Sequence, residues 1–186
     1  MPTETPSPTT SIPGIDIFTF GDNEPRWYTV DDSVMGGISR SRVELIAAGI
    51  LSFTGTMSLE NNGGFSSMRS EWSPTNLNGY DGVVLRVSGD GQLYRLRIRT
   101  AETGSDIAYN AIFETSPNTW ELIYIPFESM VPTYRGFVMD VDPLDPGSIG
   151  SFGFMLSDKQ DGEFELFVDW IRAVSEQDID TLRSNE

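Results

Sequence analysis

A chain of 186 residues with no cysteine and no histidine has few ways to make or break a bond. Thiolate nucleophiles, histidine-based triads, disulfides and the usual zinc and cupin metal sites are all removed at once. What remains are carboxylates, tyrosines and a single lysine, Lys159, in "SDKQDG". Nothing near Lys159 in sequence suggests the burial that would lower an ammonium pKa, so Asp158–Asp161 reads as a solvated polar turn. A glycosidase would need two carboxylates at a fixed separation, which sequence does not reveal. Asp140, Asp142 and Asp145 offer hard oxygens of the kind calcium takes, yet proline interrupts "DVDPLDPG" and the EF-hand spacing is absent. The expectation is a protein that is not an enzyme, with no catalytic residue, no metal site and no cofactor.

Residues suited to binding are better represented. "WYTVDDSVMGGISRS" (27–41) sets Asp31 and Asp32 before Met35, the paired Gly36 and Gly37, and Ser39. "SLENNGGFSSMRS" (58–70) sets Asn61 and Asn62 before Gly63 and Gly64, then Phe65 and Arg69. Asn-Gly between apolar residues is a hairpin signal, with positive φ expected at Asn62 and Gly63. Eleven of the twelve basic residues are arginine. Arg95, Arg97 and Arg99 share one face of an alternating stretch, and Arg86 is expected beside them across a turn at Ser88–Gly91. Such a face is either solvated or, if functional, a concave surface gripping carboxylates or sugar hydroxyls through planar forks. Arg135, in "TYRG", joins the basic candidates. Trp72, before Ser73 and Pro74, is the best candidate for an exposed aromatic platform. Trp170 shares parity with Phe164, Leu166 and Val168, which predicts burial.

The net charge of −16 argues against nucleic acid and anionic lipid as partners. Hydrophobic content of 38% and aromatic content of 11% fit a folded protein with a core. No apolar run reaches the roughly 18 residues of a membrane span, so no transmembrane segment is expected. Residues 1–14, rich in Pro, Thr and Ser, lack signal or transit character and read as a disordered tail, which implies a cytoplasmic protein.

Period-two alternation dominates the rest. In "GVVLRVSGDG" Val83, Leu85 and Val87 share a face, and in "QLYRLRIRT" Tyr94, Leu96 and Ile98 do. Further strands are expected over 15–20, 26–30, 42–47, 50–58, 65–70, 107–115, 120–126, 135–139, 150–156 and 163–173. These predict an all-β fold, an antiparallel β-sandwich of jelly-roll type over 15–174. A polar C-terminal tail follows over 175–186, with a short helix possible there, Ser175 as its N-cap and Asp178 three residues on.

Six motifs occur in order: "DDSVMGG-S-S", "F-G--SLENNGGFSS-R", "Y-G-V-LRV-GDG--Y-LR-RT", "W----IPF", "YRG" and "GFMLSDKQDG-F-L-VDWI". Over roughly residues 16 to 174 the chain resembles the complex I intermediate-associated protein 30 family, whose domain is a galactose-binding-like β-sandwich. The resemblance implies a non-catalytic assembly factor or chaperone, peripheral to a membrane complex, whose partners are protein subunits of that complex. It points to the loops Asp31–Ser39 and Asn61–Arg69 as binding elements. The competing expectation is a carbohydrate-binding module of the same superfamily, with a sugar as ligand.

Overall fold

The computed structural model describes residues 13–46, 49–157 and 161–183. Lys159, with Asp158 and Gln160, lies outside the described residues, as does the expected N-terminal tail apart from Pro13 and Gly14. The first strands are β1 (Ile15–Phe18), β2 (Trp27–Asp31), β3 (Arg40–Ile46), β4 (Ile50–Met57) and β5 (Ser66–Ser70). They are followed by β6 (Gly82–Ser88), β7 (Leu93–Thr100), β8 (Ala108–Glu114) and β9 (Trp120–Pro126). The last are β10 (Val131–Tyr134), β11 (Phe137–Val138), β12 (Ile149–Leu156) and β13 (Gly162–Val174), before helix α1 (Glu176–Arg183).

All strand pairs within the two sheets are antiparallel. Sheet A runs β3-β4-β13-β6-β9, with β1 added against β13; sheet B runs β11-β10-β8-β7-β12-β5-β2. The core forms where their apolar faces meet. Val83, Leu85 and Val87 of sheet A face inward with Tyr94, Leu96 and Ile98 of sheet B, all essentially without exposure. The fold is therefore the expected antiparallel β-sandwich.

The structure corrects four local expectations. Ser88–Gly91 is not a hairpin turn, because β6 lies in sheet A and β7 in sheet B. The segment crosses between the layers, so Arg86 is not beside Arg95, Arg97 and Arg99. The 58–65 segment likewise carries the chain from β4 in sheet A to β5 in sheet B. The expected strand 135–139 reduces to Phe137–Val138, because Arg135 and Gly136 both take positive φ and form the turn after β10. Trp170 is half-buried on the outer face, because a bulge between Val168 and Trp170 shifts the register of β13 and reverses its parity. Ile171 and Ala173 take the inward positions instead.

Helix α1 begins as expected. The Ser175 N–H and hydroxyl both donate to Asp178 Oδ2, at 3.0 and 2.8 Å, and the Asp178 N–H donates back to Ser175 Oγ at 3.3 Å. This reciprocal box satisfies donors that the first turn leaves open. The helix packs Ile179 against Val84 and Val174 on the outer face of sheet A. Ser175→Ala should cost about 1 kcal/mol, read as a lowered midpoint in urea unfolding.

Candidate functional site

The Asp31–Ser39 and Asn61–Arg69 loops are joined by one carboxylate. Asp32 is 1% exposed. Its Oδ1 accepts the Ser39 N–H at 3.0 Å. Its Oδ2 accepts the Ser39 hydroxyl at 2.5 Å, the Gly64 N–H at 2.7 Å and the Phe65 N–H at 3.4 Å. Ser39 Oγ also accepts the Ser58 N–H at 2.9 Å, tying in the end of β4. Asp31 repeats the device on β3, accepting the N–H and hydroxyl of Ser41 at 2.8 and 2.5 Å. Burial pushes the Asp32 carboxyl up, but hydrogen bonds from Ser39, Gly64 and Phe65 outweigh it and hold it below the usual carboxylate range.

One glycine of each pair makes room for this latch. A Cβ at Gly37 would sit 2.3 Å from Asp32 Oδ1, and one at Gly63 2.7 Å from Asp32 Oδ2. Gly63 is extended (φ −69°), so close approach explains it; positive φ falls on Asn61 and Gly64 instead. Asp32, Gly37, Ser39 and Gly63 are thus structural, and they present Val34, Met35, Ile38 and Leu59 to solvent at the loop tips.

Cross-strand registers build a second feature on the outer face of sheet B. Arg97 on β7 pairs with Asn110 on β8 and with Gly153 on β12. Gly153 pairs with Arg69 on β5, and Arg69 with Tyr28 on β2. One line across five strands therefore reads Asn110, Arg97, Gly153, Arg69, Tyr28. At a strand spacing of about 4.8 Å, the Arg97 and Arg69 backbones stand about 10 Å apart. Gly153 leaves the floor between them without a side chain. The Arg69 guanidinium lies 5.1 Å from the centroid of the Tyr28 ring. Arg95, one row along, donates to Ser157 Oγ at 2.9 Å. Arg99, 6% exposed, donates to the Ser105 carbonyl at 2.9 Å.

Three arginines of sheet A and three of sheet B differ in their partners. On sheet A, Arg86 pairs with Asp169 beneath the Trp120 ring, Arg172 with Asp16, and Arg42 with Glu44. Arg86 is thus a structural ion pair. On sheet B, none of Arg69, Arg97 and Arg99 forms an ion pair among the described residues. The Nε atoms of Arg69 and Arg97 are buried without a hydrogen-bond partner there. Burial, with Arg69 and Arg95 adjacent, pushes the Arg97 guanidinium down to about 10. Burial, with Arg97 and Arg69, pushes Arg99 down to about 9. Although the chain has 28 acidic residues, none among the described ones lies within ion-pair distance of these three cations; Asp106 acts on Arg99 only at longer range.

The other candidates separate from this face. Arg135 sits exposed in the β10–β11 turn, over the Tyr134 ring. Trp72 is 46% exposed, with its indole packed over Gly150. Sequence reasoning missed Tyr28, Asn110 and Gly153, and also the exposed Ile112 and Val131 beside them. A cleft of about 670 Å³ on sheet A carries both charge signs, with Arg40 and Arg42 facing Glu163 and Glu165 across Thr54 and Thr56. Among the described residues, no three acidic side chains converge as a metal-ligating group. Asp145 instead caps a short turn by accepting the Gly147 N–H at 2.9 Å.

This antiparallel β-sandwich architecture is shared with carbohydrate-binding modules. The family 11 carbohydrate-binding module of a cellulosomal cellulase of Clostridium thermocellum superposes with a TM-score of 0.63 at 15% identity, over 89% of this chain and 96% of that one. A family 30 carbohydrate-binding module of another cellulosomal cellulase of that organism gives 0.57 at 15% identity, over 87% and 98%. At such identities the likeness is one of fold.

The chain belongs to the complex I intermediate-associated protein 30 family, whose model matches residues 18–168. The mitochondrial complex I intermediate-associated protein 30 of Mus musculus is 34% identical over 106 residues. That match covers 54% of this chain and 31% of the mouse protein, so it spans under a third of the relative's length. The relative's mitochondrial name does not fit the plain cytoplasmic placement expected from the sequence. Among the described residues, no helix is long and apolar enough to cross a membrane.

Proposed function

We propose that this domain is a non-catalytic docking module that holds a protein subunit of a membrane-associated complex during its assembly, as its family membership suggests. The observation that carries the docking surface is the uncompensated arginine line of sheet B, flanked by exposed Ile112 and Val131 and by Tyr28. Apolar flanks around charged forks are the composition of a protein interface, where burial supplies affinity and guanidinium groups fix orientation. The latched loops add Val34 and Met35 beyond the Asp31–Ser66 end of the same sheet. Rigid loops lose little entropy on binding, which is the use of a buried latch beneath an exposed tip.

Affinity capture from native membranes, with mass spectrometry of what is retained, tests this. Wild type should recover subunits of one respiratory or related membrane complex. An Ile112→Asp/Val131→Asp double variant should recover at least about tenfold less while keeping its fold. The competing carbohydrate-binding reading, which the fold alone supports, predicts glycan-array binding with no subunit recovered.

A further inference from the structure

We propose that Arg69, Arg97 and Arg99 form a carboxylate-accepting site, occupied by acidic side chains of the docked protein segment. The inference rests on the docking reading and specifies the chemistry of its partner. Two of the three guanidinium groups hold buried Nε atoms with no acceptor among the described residues. The third is 6% exposed and, among the described residues, has the Ser105 carbonyl as its one hydrogen-bond acceptor. An N–H that is neither bonded nor wet is costly, and a carboxylate supplies two acceptor oxygens in the plane of the fork.

The surroundings keep the site available. Asn110, the cross-strand neighbour of Arg97, donates its Nδ2 hydrogens to the Ala108 carbonyl and to Thr133 Oγ1, each at 2.6 Å, so the incoming carboxylate is left to the arginines. Gly153 leaves the floor between Arg97 and Arg69 bare, and the Tyr28 ring supports the Arg69 guanidinium. Mutual repulsion among the three cations, together with their desolvation, is relieved when an anion binds.

Charge and shape select the kind of anion. The net charge of −16 opposes every anion at long range, so the selection is made at contact, where a carboxylate carried by an apolar segment gains burial that a nucleic acid or lipid headgroup does not. Ile112 and Val131, exposed on the same face, suit the apolar side chains of a protein segment and offer nothing to a phosphate backbone. The favoured ligand is a peptide stretch in which Glu or Asp is interleaved with apolar residues.

The test is fluorescence anisotropy with the full chain and a dye-labelled peptide alternating Glu and Leu, against its Gln-for-Glu counterpart. The Glu peptide should bind at least about tenfold more tightly, and Arg97→Gln and Arg69→Gln should each lower its affinity about tenfold. Arg97→Lys, which keeps the charge but loses the fork, should fall between. Arg42→Gln, on sheet A and exposed, should leave the affinity unchanged. Equal binding of the two peptides, or equal loss with Arg42→Gln and Arg97→Gln, overturns the proposal. So does binding of inorganic phosphate or phosphatidylserine vesicles while the Glu peptide stays silent. If Arg97→Gln leaves membrane-subunit capture intact while Ile112→Asp/Val131→Asp abolishes it, the docking reading stands and the carboxylate site falls.

Discussion

Replacing Asp32 with alanine is expected to destabilise the domain by about 3 kcal/mol, the scale for removing one partner from a buried, charge-assisted network. The substitution strands the Ser39 N–H and hydroxyl and the amides of Gly64 and Phe65, which all meet on this one carboxylate. For a domain of this size the loss corresponds to a fall of about 6–12 °C in Tm. Asp32→Asn should be less damaging, because one acceptor oxygen survives. The pH dependence separates this from a simple packing defect. The folded Asp32 carboxyl titrates below the usual aspartate range, so its contribution is complete above that range and is lost as pH falls through the folded pKa. The stability gap between wild type and Asp32→Asn should therefore be constant near neutrality and narrow below about pH 4. Urea unfolding across that range checks it; a gap that does not change with pH would remove the carboxylate from the explanation.

Arg97→Met is expected to act in the opposite direction, raising stability by about 1 kcal/mol while abolishing binding of acidic peptide. Arg97 buries its Nε without an acceptor and stands between two other cations, so the folded state carries an uncompensated desolvation cost. Methionine keeps most of the aliphatic length and removes the charge. Thermal unfolding should show a midpoint higher by about 2–4 °C. A variant clearly less stable than wild type would identify Arg97 as a structural group. Stability gained where binding is lost is the signature of a residue held for function.

Alternation along the chain made the faces legible but not the partners. It placed Tyr94, Leu96 and Ile98 inward and Arg95, Arg97 and Arg99 outward, as observed. The turn at Ser88–Gly91 has hairpin composition, yet the same glycines also serve a crossing between sheets. Only long-range pairing of β7 with β12, and of β6 with β13, distinguishes the two. The arginine line was hidden for the same reason. Tyr28, Asn110 and Gly153 look unremarkable on their own strands, and only register aligns them with Arg69 and Arg97. Asp169 could not be matched to Arg86 because the two lie 83 residues apart and a bulge sits at that point of β13. The loop motifs were legible as special but not in their mechanism. The Asn-Gly composition invited a reading through positive φ at Asn62 and Gly63, whereas Gly63 is extended and is needed because Asp32 leaves no room for a Cβ.

The most direct measurement of docking through sheet B is NMR observation of the arginine Nε–Hε resonances during titration with the alternating Glu–Leu peptide. Arg69, Arg97 and Arg99 should shift together and saturably, along with the amides of Tyr28, Ile112 and Gly153, while Arg86 and Arg172 stay fixed. Shifts confined to Arg40, Arg42 and the sheet A cleft, with the sheet B arginines unmoved, would contradict it.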